Sequence, residues 1–248
     1  MSSYYVIAIP SYKRSLELPK KTLATLQRYN VLLDKIYIFS VPEEIDEYKK
    51  TCPGYQIICG HLGLINQRAF IENYFDKDSN ILFLDDDVSD VFTLSPTNTR
   101  IPISDFSQFV SDGFERMEEV GATLWSIYPV DNTMFMSGSK SVSEGLSYCV
   151  GAFYGQKNTR DILLTDGYDS IEDRERTILR YLRDGKVIRY NHIGLKTKYF
   201  ASGGLMASDR QRNHQIASEA LVVRYPTLVR LKVRKNGYTD CQIKSKLE

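Results

Sequence analysis

Apolar and polar positions alternate in short blocks over the early part of the chain. Residues 4–9, 35–41, 55–59 and 81–84 are compact apolar runs, the pattern of strands buried on both faces. Between them lie stretches with helical character. Pro19 suits a first helical turn and is followed by Leu23, Leu26 and Tyr29 at helical spacing. Residues 42–50 read as a short helix, and a helix entered at Gly60-His61-Leu62-Gly63-Leu64-Ile65-Asn66-Gln67-Arg68 continues to about residue 75. This β-α-β-α-β order predicts right-handed crossovers and a mainly parallel sheet.

The pattern continues less regularly. Residues 91–102 read as loop. Ser104 is the expected N-cap of a helix whose apolar face is Phe106, Phe109, Val110, Phe114 and Met117, closed by Gly121. Strands are expected at 123–128, 148–155 and 187–191. Residues 129–145 show no period and are expected to form a mobile lid. A helix after residue 173 should bury Ile178, Leu179 and Leu182 and end at Gly185. A last helix runs from Ser208 or Asp209 to about residue 223, and residues 228–235 alternate like an exposed basic strand. No repeat is visible, so one domain with an appendage is expected: 1–204, then a basic extension at 205–246.

Composition narrows the class. A hydrophobic content of 42% with 25% charged residues indicates a folded globular chain rather than a disordered one. The net charge of +1 hides an asymmetry. From residue 189 onward twelve Lys/Arg face four Asp/Glu, a balance of +8, which leaves −7 for residues 1–188. Such a basic end suits a polyanion or a phosphate-bearing ligand, and a solvated surface accounts for it equally. Cys52, Cys59, Cys149 and Cys241 lack zinc or C-x-x-C spacing and read as reduced thiols. The opening apolar run is too short for a signal peptide, and no stretch reaches the roughly 20 apolar residues of a membrane span. A cytoplasmic protein is expected.

The chemistry gathers at Asp85-Asp86-Asp87, directly after the apolar run at 81–84. Two like charges about 4 Å apart repel by roughly 4 kcal/mol at an effective dielectric near 20, so adjacent acids at a strand tip call for a cation. An oxygen-only set suits Mg or Mn. In open α/β sheets ligands bind at the carboxyl ends of strands, where a metal-bound phosphate would meet these acids. The Pro10-Ser11-Tyr12-Lys13-Arg14 loop leaves the first strand at the same edge. A second acidic point, Glu172-Asp173, opens a later helix; Ser170-x-x-Asp173 also fits a capping box, whereas Asp173 as a base at a rigid helix start is the alternative. Arg68 near a helix start is a candidate for nucleotide contact. His61 reads as structural.

Taken together, the 10–14 loop, the acidic triplet and Glu172-Asp173 resemble the GT-A fold of nucleotide-sugar glycosyltransferases, over roughly residues 4–204. The resemblance implies an α/β, Rossmann-like, mostly parallel central sheet flanked by helices, with the basic helix-strand extension added. It also implies a nucleotide-sugar site at Pro10, Ser11, Tyr12, Arg14, Arg68, Asp85, Asp86, Gly203, Gly204 and Arg210. Mn or Mg would be held by Asp87 and Asp85, with His192 as a third ligand. Asp173, with Glu172, would be the catalytic base of an inverting reaction. Gly63-Leu64-Ile65-Asn66-Gln67-Arg68, Gly203-Gly204, Asp209-Arg210 and Arg224-Tyr225-Pro226 are similar to the compact TET/JBP-associated branch of phages and large viruses. That likeness implies a hydroxymethylated or glycosylated base in viral or phage DNA as acceptor and, for a viral chain, the host cytoplasm as location.

On this reading UDP-glucose is the default donor, and Arg210 or Arg212 helps to stabilise the departing diphosphate. Tyr12, Trp125 and Tyr128 are candidates to stack on base or sugar. Three competitors follow from the same residues: transfer to a glycan or glycoconjugate, a sugar nucleotidyltransferase, and a non-catalytic nucleic-acid-binding module. The loop at 10–14 lacks the glycines a nucleotidyltransferase would want, and a decayed module has little use for Glu172-Asp173.

Overall fold

The computed structural model describes residues 4–137, 140–197, 207–234 and 237–244, with only the backbone of residues 137 and 207–210. In chain order the elements are β1 (Val6–Pro10), α1 (Thr22–Arg28), β2 (Ile36–Ser40), α2 (Ile45–Thr51), β3 (Gln56–Cys59), α3 (Leu64–Tyr74) and β4 (Asn80–Leu84). Next come β5 (Asp90–Leu94), β6 (Arg100–Pro102), α4 (Phe106–Val120), β7 (Leu124–Ile127), α5 (Thr133–Ser137), β8 (Val142–Gly145) and β9 (Phe153–Lys157). The chain continues through α6 (Glu172–Asp184), β10 (Val187–Tyr190), β11 (Ile193–Lys196), α7 (Ala207–Arg224), β12 (Val229–Val233) and β13 (Thr239–Ile243).

Eight strands form the main sheet in the order β3-β2-β1-β4-β9-β7-β10-β8. β1, β2, β3 and β4 are mutually parallel, as are β7 and β10, while β9 and β8 run against their neighbours. The period of two along each strand sends successive side chains to opposite faces. Ile7, Ile9, Leu82 and Leu84 therefore meet Leu23 and Leu26 of α1 and Val110 and Phe114 of α4. Val6, Ala8, Ile81 and Phe83 meet Ile71 of α3 and Phe75. Because both faces are covered, these strands are continuous apolar runs.

Trp125 on β7 is fully buried. It lies over Gly113 and Gly155; a Cβ on Gly155 would sit 2.0 Å from the indole Nε1, so only glycine fits beneath the ring. Trp125 is thus a core residue and not a platform for base or sugar.

Several expectations change. Residues 91–102 contain β5 and β6, which join β11 in a three-stranded sheet, order β11-β5-β6. β6 is an exposed edge strand ending in Pro102, so it carries no alternation to read. Residues 129–145 hold α5 and β8, and β8 is paired with β10 from Val142 to Gly145. The N-cap of α4 is Asp105, whose carboxylate accepts from the Gln108 amide at 2.9 Å, in place of Ser104. Residues 148–152 form a loop before β9. Leu182 on α6 is 56% exposed; the inward face of that helix carries Glu172, Glu175, Arg176, Ile178 and Arg180.

The expected boundary at residue 204 falls outside the described residues. Beyond it, Ala217 and Leu221 of α7 and Val229, Cys241 and Ile243 of the β12–β13 hairpin pack with Leu146, Ile171 and Ile178. Polar contacts reinforce this packing: Arg174 Nε donates to the Cys241 carbonyl at 3.1 Å, and Arg224 Nη1 lies 3.0 Å from Glu175 Oε1. Asp240 collects Arg174 at 3.0 Å, His214 at 2.9 Å and Arg234 at 2.5 Å. Burial works against its charge, but the His214 hydrogen bond and the two guanidiniums hold its carboxyl well below the usual carboxylate range. All four cysteines are free thiols.

Candidate active site

The parallel register carries the ends of β1 and β4 to one edge, where the 10–14 loop meets the acidic triplet. Ser11 Nα donates to the Phe39 carbonyl of β2 at 2.9 Å, which continues the sheet pairing one residue past β1. Its hydroxyl donates to Asp86 Oδ2 at 2.6 Å and lies 2.6 Å from the Tyr48 hydroxyl. A hydroxyl has one proton, so Ser11 receives the Tyr48 proton while giving its own to Asp86. Burial pushes Tyr48 up to about 12, which keeps it a neutral donor. Arg14 Nη1 bridges Asp86 Oδ1 at 2.7 Å and Asp87 Oδ2 at 2.9 Å, and Thr197 bonds the other oxygen of Asp87. Thr22 clamps the turn, donating to the Asp85 carbonyl at 2.7 Å and accepting from the Val88 amide at 2.9 Å.

Asp85 differs from its neighbours. Its amide donates to the Ala152 carbonyl at 3.0 Å, but no described residue donates a hydrogen bond to its carboxylate. Desolvation, then Asp86, Asp87 and Glu172 against the pull of Arg68, push it up to about 7. A folded acid with a raised pKa binds a proton that the unfolded chain has released. Stability therefore falls as pH rises from about 4 to about 7, by up to roughly 4 kcal/mol for this shift. In chelator, Asp85→Asn is expected to remove that loss and to exceed the wild type in urea unfolding at pH 8, the two converging near pH 4. Parallel pH profiles for the two proteins would refute this account of Asp85.

A buried charge cluster underlies the triplet. Arg68, 3% exposed on α3, donates to the Tyr154 hydroxyl at 2.5 Å and the Gly151 carbonyl at 3.2 Å, and its Nη2 lies 3.2 Å from Glu172 Oε1. Arg176, one turn after Glu172, binds the other Glu172 oxygen and lies over the Tyr154 ring at 3.7 Å. Burial pushes the Glu172 carboxyl up and the Arg176 and Arg68 guanidiniums pull against it; flanked by two cations, it serves as their counter-ion. Arg68 is thus turned into the core, where it balances Glu172 and Asp85 and has no free face for a nucleotide. Glu172, 3% exposed with a guanidinium on each oxygen, is likewise held in the core and not offered to an incoming hydroxyl.

Asp173 is placed otherwise. Its Oδ2 accepts from the Tyr148 hydroxyl and from the Gly151 amide at 3.2 Å, and Oδ1 lies 3.7 Å from Arg174 Nη1. Gly151 is squeezed between the acids: a Cβ there would lie 3.0 Å from Glu172 Oε1 and 3.3 Å from Asp173 Cβ. One short loop therefore ties both acidic points together, since Gly151 bonds Asp173 and the next residue, Ala152, bonds Asp85. The capping box does not form. Ile171, which has no side-chain acceptor, occupies the N-cap in place of Ser170, and Asp173 is engaged by Tyr148 and Gly151.

The remaining candidates scatter. Pro10 ends β1, and Tyr12 is half-buried with Lys13 Nζ 5.0 Å from its ring centre. The His61 amide donates to Gln67 Oε1 at 2.6 Å, a turn contact. His192 is not brought to the triplet: its carbonyl accepts from Thr93 at 3.1 Å and its Nδ1 lies 2.9 Å from the Ser141 carbonyl, whereas Thr197, beyond the length of β11, meets Asp87. Gly203 and Gly204 lie outside the described residues, and Arg210 falls in the first turn of α7 with its side chain outside them. Tyr48, Thr22, Tyr154, Arg176 and Thr197 escaped the sequence reading. Of these only Arg176 carried a local signal, its i,i+4 spacing from Glu172.

The donor set is one that suits a hard divalent cation. Among the described residues no three acidic, His or Cys side chains converge to hold a metal on their own. One or two carboxylates from Asp85 and Asp87, completed by phosphate oxygens, match the way Mg is held with substrate phosphates.

No protein-family model and no curated protein matches this sequence. Solved structures share its fold. S. aureus TarS 1-349 is 12% identical, with a TM-score of 0.51 over 88% of this chain and 65% of that one. The same protein in complex with UDP gives 14%, 0.51, 90% and 72%. A structure described as a mycobacterial protein gives 8%, 0.50, 97% and 83%. The chain therefore spans about two thirds of the TarS 1-349 chain. The architecture is the α/β, GT-A-like arrangement that the sequence predicts, with helices on both faces of a large, mostly parallel sheet.

Proposed function

We propose that this chain is a nucleotide-sugar-dependent glycosyltransferase that moves a sugar, with UDP-glucose the first donor to test, onto an acceptor hydroxyl with inversion. One observation carries the reading: the 150–152 loop binds the candidate base Asp173 and the triplet residue Asp85, so base and donor site share an edge. The fold shared with a TarS chain solved with UDP supports it at the level of architecture.

Asp173 Oδ2 is held by Tyr148 and Gly151, which leaves Oδ1 to take the proton of the attacking hydroxyl. A new bond forms from that hydroxyl oxygen to the anomeric carbon as the carbon–phosphate oxygen bond breaks, its electron pair leaving on the nucleoside diphosphate. Asp87 and Asp85 would hold a divalent cation, whose chemistry is to stabilise that leaving charge. Ser11 and Tyr48 fix the orientation of Asp86, and Thr22 fixes the turn that presents all three acids.

For the acceptor, the proposal is a hydroxymethylated base in DNA, the substrate of the TET/JBP-associated branch. Exposed Arg212, Arg230 and Lys232 in the extension suit a phosphate backbone. The test is nucleoside diphosphate release with Mn2+ and duplexes containing hydroxymethylcytosine or unmodified cytosine. Stimulation by the modified duplex that declines steeply with added salt is expected; stimulation by neutral glycans with little salt dependence would replace DNA by a glycan.

A further inference from the structure

We propose that Arg14 is an exchangeable counter-ion: its guanidinium holds Asp86 and Asp87 together in the metal-free protein, and a divalent cation must displace it to bind. The inference rests on the reading of the triplet as a cation-bound phosphate site, and it concerns how that site is kept closed. Three observations carry it. Arg14 bridges both carboxylates through the single nitrogen Nη1, while its Nε and Nη2 make no hydrogen bond to any described residue. Its side chain is 17% exposed on a surface loop, beside carboxylates that are 9% exposed, so it can swing to solvent without leaving a cavity in the core. Arg68, by contrast, is buried and bonded to Tyr154, Gly151 and Glu172, and cannot exchange. Asp87, which Arg14 ties to Asp86, is also one of the two carboxylates that would hold the cation, so Arg14 and a divalent ion compete for it.

The competition fixes the sign of an experiment. Removing an ordinary ligand-binding or structural arginine weakens metal binding or leaves it unchanged, whereas removing a competitor tightens it. Calorimetric titration of Mn2+ into the wild type, Arg14→Ala and Arg14→Gln is expected to show both variants binding roughly tenfold tighter, equivalent to about 1.4 kcal/mol. Without metal both should melt below the wild type, and Mn2+ should raise their melting temperature by more. Arg14→Gln keeps the length and polarity of the side chain, so it serves if the alanine variant fails to fold. Equal or weaker Mn2+ binding by the variants, or no Mn2+ binding by any of the three, overturns the proposal. Donor turnover is scored separately on the wild type: tighter Mn2+ binding by the variants without turnover of any nucleotide sugar sustains the counter-ion role and removes the glycosyltransferase reading.

Discussion

Asp173→Asn is expected to lower sugar transfer by about 10²–10⁴-fold, the range for loss of a positioned general base, with little change in KM for the donor. The asparagine side-chain oxygen still accepts from the Tyr148 hydroxyl and the Gly151 amide, so the loop at 150–152 and the start of α6 keep their geometry. What is lost is the capacity to take a proton. The melting temperature should therefore stay within a few degrees of the wild type while steady-state turnover collapses. A variant retaining more than a tenth of wild-type turnover would remove Asp173 from the role of base.

The neighbouring position should behave in the opposite way. Glu172→Gln leaves Arg68 and Arg176, both about 3% exposed, without the carboxylate between them. Removing one partner from a buried ion pair costs about 3–5 kcal/mol, chiefly because the remaining charge stays buried and unpaired. For a chain of this size that corresponds to a fall in melting temperature on the order of 10 °C. Chemical unfolding measures it directly. At a temperature where the variant remains folded, turnover per folded molecule should stay within a few-fold of the wild type. Normal stability with abolished turnover would exchange the roles of the two acids.

The sequence marks both acids and does not tell them apart, for a physical reason. Adjacent residues at a helix start point about 100° apart on the helix, so one turns to the core and the other to the sheet edge. Which of them does so depends on Arg68 and Tyr154, 104 and 18 residues away from Glu172. The same limit explains Arg68 itself. An arginine early in a helix reads as a phosphate ligand until the β9 tyrosine beneath it is known. The first half of the sheet is legible. β1, β2 and β4 emerge close to their actual bounds because burial on both faces writes a continuous apolar run. β3, half-buried at the sheet edge, and the helices between these strands follow from the short apolar blocks and the helical spacing around them.

Where packing is one-sided or short, the signal fades. β6 is exposed at every position, and β8 is half-covered, so neither shows alternation. The inward stripe of α6 is charged, with Glu172, Glu175, Arg176 and Arg180 buried where apolar periodicity points to Leu179 and Leu182, so the pattern of apolar residues does not reveal that face. The triplet was legible as a charge problem, but its solution was not. Ser11 and Arg14 come to Asp86 from more than 70 residues away, and Thr197 comes to Asp87 from 110. His192 matches a third-ligand position by order along the chain, yet the turn into β11 commits it to Ser141 and Thr93.

The central claim is that this sheet edge cleaves the bond between a sugar and a nucleoside diphosphate. The most direct measurement is nucleoside diphosphate release from a panel of UDP-, GDP- and other nucleotide sugars with Mn2+, beside an Asp87→Ala control. Metal-dependent release from at least one donor, lost in the control, is the predicted result. Release of pyrophosphate in its place, or no turnover of any donor by the folded protein, would contradict the account.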